Sequence, residues 1–334
     1  MRYLITGGAG FIGSHLVDAL TTRGDSVLVL DDLSTGRREN LDHVLESDLV
    51  ELAEGSVLDA GLVDDCMRAV DRCVHLASAV GVQLVVSRPL DTLQRNVRGN
   101  DIAISAAARH GCPTLFSSTS EVYGKHSNGA LTEDSDRILG SPTKLRWSYA
   151  TAKAFGEALA YSFAREQGSR MTVARLFNTV GPRQTGAYGM VLPRFVRQAL
   201  AGDDLTVFGN GTQSRCFTHV LDVVHAMLLL LDEERAEGRA FNVGATTETP
   251  IVELARRVIQ QTNSRSTIRL VPYEDAYKDG FEELGRRKPD TTALRTLTGW
   301  VPARTVDDAI DDVIAYERSS SSARFAARGL RIAR

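Results

Sequence analysis

The chain has 334 residues, with 39 lysines and arginines against 42 aspartates and glutamates, for a formal net charge of -3. That balance supplies no global attraction to nucleic acid or to an anionic membrane surface, so neither is expected as a partner. Hydrophobic residues make up 43% of the chain, yet no apolar stretch approaches the roughly 20 residues that span a bilayer; a soluble, cytoplasmic protein of one large or two unequal domains is expected.

The run Tyr3-Leu4-Ile5 reads as a buried parallel strand, and Phe11 to Leu20 reads as an apolar-periodic helix. The chain opens directly on that strand, with no charged n-region or cleavable apolar segment, so no export is expected. Between strand and helix, Gly7, Gly10 and Gly13 fall three apart. Such a turn lets the main chain approach a diphosphate closely and aims a helix N-terminus at it. A second run, Ser26 to Leu30, ends in Asp31, eighteen residues after Gly13, where a dinucleotide fold places the carboxylate that holds ribose hydroxyls. The polar turn from Asp32 through Ser34, Thr35 and Gly36 would wrap an adenosine. Arg37 and Arg38 raise the rival possibility of a 2′-phosphate site, but Asp31 would repel that phosphate, so NAD is favoured over NADP.

Leu49 to Leu52 reads as a third strand, followed by Gly55-Ser56-Val57 and a helix from Ala60 to Arg68. Cys73 to Ala77 reads as a fourth strand running into a small-residue loop, with His75 as a packed histidine. Asp91 to His110 is helical in period and carries Asn96. A fifth strand starts at Pro113 and ends in the hydroxyl-rich tip Ser117-Ser118-Thr119-Ser120-Glu121, at the kind of strand end where open α/β sheets gather ligands. A polar loop covers Lys125 to Arg146. Cys66, Cys73, Cys112 and Cys216 lack metal-ligand spacing and read as free thiols without a catalytic role, and no metal is expected.

Tyr149 and Lys153 are four apart and share one helix face. A phenol beside a fixed ammonium is expected to ionise more readily and to take a proton from a substrate hydroxyl. Met171 to Phe177 reads as a sixth strand, Asn178 to Arg183 as a turn, and Val191 onward as a helix. Leu205 to Phe208 resembles a strand with a hairpin turn at Gly209-Asn210-Gly211, and Arg215 follows it. A helix from Val220 to Leu231, a strand from Ala240 to Val243, a helix from Pro250 to Gln261 and a strand from Ile268 to Val271 complete the pattern. The basic cluster Arg286-Arg287-Lys288 comes next. The end of the chain, rich in Ser, Ala and Arg, reads as a frayed or disordered tail.

Taken together, the glycine turn, Asp31, the strand tip, the Tyr149/Lys153 pair and Asn178-Thr179-Val180-Gly181-Pro182 resemble the extended short-chain dehydrogenase/reductases. More narrowly they resemble UDP-sugar 4-epimerases and UDP-glucuronate decarboxylases, over roughly residues 1 to 315. The resemblance implies an α/β fold in which a Rossmann doubly wound parallel sheet (1–175) is joined to a smaller α/β C-terminal substrate domain (176–316), with a disordered tail over 317–334. It also implies tightly held NAD, a UDP-sugar substrate and a homodimer built through a four-helix bundle.

Matched residue by residue, Gly7, Gly10, Phe11, Ile12 and Gly13 would surround the pyrophosphate. Asp31, Asp32, Ser34, Thr35, Gly36, Ser56 and Val57 would hold the adenosine, although Ser56 stands where relatives commonly carry an Asp. Leu76, Ala77, Ala79, Asn96, Ser117, Tyr149 and Lys153 would line the nicotinamide half. Thr119, Ser120, Glu121, Tyr149, Asn178, Val191, Leu192, Thr206, Phe208, Arg215, Arg287 and Asp290 would contact the substrate. Thr119, Tyr149 and Lys153 would be catalytic, with Tyr149 taking the O4 proton while NAD takes the C4 hydride to form a transient 4-keto sugar.

Ser120 stands where dehydratases keep an acidic proton donor, which disfavours water elimination. The segment Gly181 to Arg194 resembles the epimerase branch. The expected activity is therefore 4-epimerisation of UDP-glucuronate to UDP-galacturonate, with UDP-glucose as a further candidate substrate. The alternatives are a UDP-glucose 4-epimerase, a UDP-glucuronate decarboxylase and a non-catalytic NAD-sensing protein.

Overall fold

The computed structural model describes residues 1–81, 87–126, 129–186, 190–276 and 286–332. In chain order the strands are β1 (Arg2–Thr6), β2 (Ser26–Asp31), β3 (Val50–Glu54), β4 (Arg72–His75), β5 (Thr114–Thr119) and β6 (Met171–Leu176), then β7 (Thr179–Val180), β8 (Leu205–Phe208), β9 (Ser214–Arg215), β10 (Thr218–His219), β11 (Ala240–Val243), β12 (Thr249–Pro250) and β13 (Ile268–Val271). Seven of them form one parallel sheet in the order β11-β6-β5-β4-β1-β2-β3. The order reverses between β1 and β4, which opens a crevice at the carboxyl ends of those strands.

The strands are near-continuous apolar runs because both faces of the sheet are covered. On one face Tyr3, Ile5, Val27 and Val29 pack against Leu16 and Leu20 of α1 (Phe11–Thr22) and against Val223 and Met227 of α6 (Val220–Asp232). On the other, Leu4, Leu28 and Phe116 meet Val63 and Met67 of α2 (Ala60–Arg68), Ile104 of α3 (Pro89–Arg109) and Ala160 of α4 (Trp147–Gln167). A separate apolar cluster joins α5 (Val191–Ala201), β8, α7 (Ile251–Thr262) and the start of α10 (Val306–Ile332), through Phe195, Val207, Leu254 and Ile310. Among the described residues no helix is long and apolar enough to cross a membrane.

Two local expectations are corrected. Leu205 to Phe208 is a strand, but it pairs in parallel with β13 rather than folding into a hairpin across Gly209 to Gly211; its partner lies beyond both α6 and α7, which local turn chemistry cannot reveal. The segment from 317, read as a disordered tail, continues α10 as helix through Ile332. All four cysteines are free and buried.

Candidate active site

The first turn of α1 begins at Gly10, whose position no side chain caps, so its leading N–H groups face the crevice at the positive end of the helix dipole. The glycines are required by space. A Cβ on Gly7, which has φ +73°, would lie 2.8 Å from the Ala77 nitrogen, and one on Gly13 would lie 2.7 Å from the Gly8 Cα. At the end of β2, Asp31 is 7% exposed and accepts hydrogen bonds from the backbone N–H groups of Ala9 (3.0 Å) and Leu33 (2.9 Å). Burial raises its pKa and those two donors partly offset the rise. Arg37 and Arg38 are exposed and outside the cavity wall, so neither supplies a 2′-phosphate site there.

One cavity of about 540 Å³ runs from this turn to the C-terminal elements. It gathers the expected pyrophosphate, adenosine and nicotinamide residues except Gly36, which packs beneath the Asp31 carboxylate with a would-be Cβ 2.8 Å from both oxygens. Ser56 lines the cavity and its Oγ accepts from the Leu58 N–H at 3.3 Å. Asn96 clamps the loop after β4, its Oδ1 accepting from the Ala79 N–H (2.8 Å) and the Ser78 hydroxyl (3.1 Å), its Nδ2 donating to the Ala79 carbonyl (3.0 Å). These features fit a dinucleotide.

The middle of the cavity is set by β5 and α4. Gly156 lets α4 close onto Phe116, since a Cβ there would press into the Phe116 ring. That contact brings Tyr149 and Lys153 to the strand tip. Lys153 is 1% exposed, and its Nζ donates to the Ser117 carbonyl at 2.8 Å. Burial lowers its pKa to about 7, with Glu157 opposing the shift. His75 is packed, as expected: it is fully buried between Thr6 (2.7 Å) and Asn100 (3.2 Å), stacked on Phe116, and burial together with the Lys153 charge lowers it to about 3.

The expectation that Tyr149 ionises more readily because of Lys153 is corrected. Burial and then the Glu121 carboxylate raise the phenol well above its ordinary value, and only a hydrogen bond with Ser78 lowers it. The ammonium is directed to a carbonyl, while a fixed negative charge faces the phenol. Thr119 Oγ1 accepts from the Glu121 N–H at 3.2 Å, which leaves its hydroxyl proton to donate.

Glu121 lies between two buried guanidiniums. Arg287 Nη1 donates to its Oε1 at 2.6 Å and Arg146 Nη2 to its Oε2 at 3.0 Å. Burial alone would raise Glu121, but Arg287 and Arg146 hold it down at about 2. Arg287 Nη1 also reaches Ser120 Oγ at 3.4 Å, and its Nε is buried without an acceptor among the described residues. Towards the far end, Asn178 has a strained φ of +25° and a buried Nδ2 without an acceptor among the described residues. Arg194 stacks over the Phe208 ring at 4.2 Å.

Three expected substrate contacts lie outside the wall. Leu192 is fully buried in the α5 core. Thr206 is bound to Gln198 through its N–H (3.2 Å) and hydroxyl (3.0 Å). Asp290 accepts from the Thr292 N–H (2.8 Å) at the start of the helix Thr292–Thr298. Sequence reasoning missed Arg146, Arg194, Gln184 and Tyr273 in the wall. It also missed Glu157, fully buried and held by Arg175 through two 2.9 Å contacts, with the Ser118 hydroxyl at 2.5 Å. Glu157 was discoverable, because it continues the four-residue spacing of Tyr149 and Lys153.

The family described as NAD dependent epimerase/dehydratase matches residues 3–244. The chain is 38% identical to the UDP-N-acetyl-alpha-D-glucosaminuronate decarboxylase of Bacillus cytotoxicus, over 95% of this chain and 98% of that one. It is 34% identical to UDP-glucuronic acid decarboxylase 1 of Xenopus tropicalis, over 95% and 72% respectively. Its fold superposes on the UDP-glucose 4-epimerase of Thermotoga maritima, solved with UDP-glucose, at a TM-score of 0.86, with 28% identity and coverage of 96% and 99%. These relatives overturn the expected 4-epimerisation: the similar curated enzymes, matched along the whole chain, are decarboxylases. The segment 181–194 misled because it was judged by local likeness, and residues 187–189 within it lie outside the described residues.

Proposed function

The chain belongs to the NAD-dependent epimerase/dehydratase family, and from that premise we propose that it decarboxylates a UDP-linked hexuronate through a transient 4-keto sugar. The observation that supports this reading is the Arg287–Glu121–Arg146 cluster beside Thr119 and Tyr149, where two guanidiniums face one carboxylate. Guanidiniums on the cavity wall are the groups that bind a hexuronate carboxylate in paired hydrogen bonds.

Bound NAD would accept a hydride from C4, later return it, and bring the positive charge of its oxidised ring into the cavity. The chain's own groups would do the rest. Thr119 donates to O4, and Tyr149 takes the O4 proton in the phenolate form, which burial and Glu121 oppose and the positive charge of the oxidised ring would favour, while Lys153 and Asn96 fix the strand tip and the loop that frame the phenol. With C4 a ketone, the C5 carboxylate belongs to a β-keto acid. The C5–C6 bond breaks, carbon dioxide departs, and the electron pair passes to the enolate oxygen at C4. C5 then takes a proton from solvent, which restores the C4 ketone, and Tyr149 returns its proton to O4 as that ketone is reduced. Glu121 tempers the arginines, because two unopposed ion pairs would stabilise the carboxylate against departure.

Assembly as a homodimer through α3 and α4 belongs to the same reading, as does a cytoplasmic location; Leu90 and Phe155 are large apolar side chains that those helices expose. Incubation with UDP-glucuronate and UDP-N-acetylglucosaminuronate carrying ¹³C at C6 tests the activity. A UDP-linked pentose with one labelled carbon dioxide released per turnover is expected, and a product that keeps C6 overturns the reading.

A further inference from the structure

His75, at the end of β4, is a buried titratable group that the proposed mechanism leaves unused, and its hydrogen bonds have one consistent set of directions. Asn100 of α3 donates through Nδ2 to the Ala152 carbonyl of α4 at 3.1 Å, so its Oδ1 is the atom turned to His75 Nε2 at 3.2 Å. An amide oxygen can only accept, and Nε2 therefore carries the proton. In the neutral ring Nδ1 is then an acceptor, and the Thr6 hydroxyl donates to it at 2.7 Å. Thr6 Oγ1 accepts in turn from the Ala77 N–H at 3.2 Å. Thr6, His75 and Asn100 are each at most 1% exposed, so bulk water does not compete for these bonds. A protonated ring would put a second buried cation near Lys153, whose charge acts with burial to hold His75 at about 3.

Both ends of this chain of bonds belong to the site. Ala77 lines the cavity and lies against the glycine turn, where a Cβ on Gly7 would be 2.8 Å from its nitrogen. Ala152 directly precedes Lys153 on α4, one turn from Tyr149. The main chain of His75 joins the same unit, because its carbonyl accepts from the Ser117 hydroxyl at 2.9 Å while Lys153 donates to the Ser117 carbonyl. Resting on the reading in which Tyr149 and bound NAD act together at C4, we infer that His75 is a positioning residue: fixed as the neutral Nε2–H tautomer, it couples the loop beside the cofactor turn to the helix that carries Tyr149 and Lys153. The proton acceptor and the hydride acceptor have to keep their separation for the step at C4, and misplacement by about 1 Å can cost roughly a hundredfold in rate.

The test has two arms, both on NAD-loaded protein at pH 7. In protein labelled with ¹⁵N-histidine, the His75 signals are identified by their loss in His75→Gln, and NMR should show a protonated Nε2 and a bare Nδ1. A proton on Nδ1, alone or in an imidazolium, overturns the inference. In the second arm, Thr6→Val removes the hydroxyl at the centre of the chain with little change of shape, and Thr6→Ser keeps it. The Val variant should lose roughly tenfold or more in kcat for carbon dioxide release from UDP-glucuronate, with KM within about twofold of the parent's, and the Ser variant should stay near the parent. An unchanged kcat in the Val variant overturns the coupling, and so does an equal loss in both variants. If the Val variant does not fold, the tautomer in the labelled parent decides by itself. A parent that retains NAD but releases no carbon dioxide overturns the hexuronate reading instead, and the tautomer still decides the role of His75, so the two failures are distinguishable.

Discussion

Lys153 Nζ sits 2.8 Å from the carbonyl oxygen of Ser117, joining the middle of α4 to the end of β5. Burial brings its pKa down to about 7, whereas a lysine in the unfolded chain titrates near ~10.4. Between those values the unfolded chain binds more protons, so stability rises with pH across that window. Lys153→Met removes the titration. Melting temperature measured from pH 7 to 10 should climb in the parent relative to the variant, and parallel curves would contradict the buried, weakly basic lysine.

Tyr149→Phe keeps the ring that packs between α4 and the strand tip and removes the proton acceptor. Turnover should fall by at least ~10²-fold, the scale of general acid–base catalysis, while NAD content and melting temperature stay near the parent's. Full turnover in this variant would show that another group takes the proton.

Glu121 is held at about 2 by Arg287 and Arg146 against the cost of burial. A carboxylate with a depressed folded pKa adds stability that is fully present above its ordinary value near ~4.3 and is lost as pH falls towards ~2, a few kcal/mol in order of magnitude. Glu121→Gln also removes the anionic partner shared by two buried guanidiniums. It should melt well below the parent at pH 7, and the gap should narrow steadily as pH drops from 5 to 3. A gap constant with pH would mean that Glu121 is not charged in the fold.

Gly13→Ala would place a methyl group 2.7 Å from the Gly8 Cα and against the Gly7 carbonyl. Overpacking of this kind costs about 1–3 kcal/mol, and here it deforms the turn itself. The purified variant should lose at least ~10-fold in NAD affinity, read as cofactor content after gel filtration, with the sheet intact by circular dichroism. Unaltered NAD content would place the pyrophosphate elsewhere.

Much of the fold was legible because its signals are local. β1, β2, β5 and β11 are apolar runs bounded by polar turns, and α1 follows a glycine turn between an apolar run and an apolar-periodic stretch. The parallel partner of β8 was not legible, since β13 pairs with it from beyond α7 and no residue between Leu205 and Gly211 encodes that pairing. In the cavity, Tyr149 and Lys153 stood out through helical spacing. The sign of the phenol's shift was misjudged, because it depends on Glu121 and on burial rather than on the neighbour four residues away.

Sequence by itself therefore determined the elements, the dinucleotide turn and the residues of the strand tip, all of which follow from short-range periodicity and from the conformational freedom of glycine. Tertiary structure alone decided which charges meet. Glu121 finds Arg146 25 positions away and Arg287 166 positions away. A charge's partner and its desolvation are set by packing across the sheet and the C-terminal elements, and no local pattern in the chain records either.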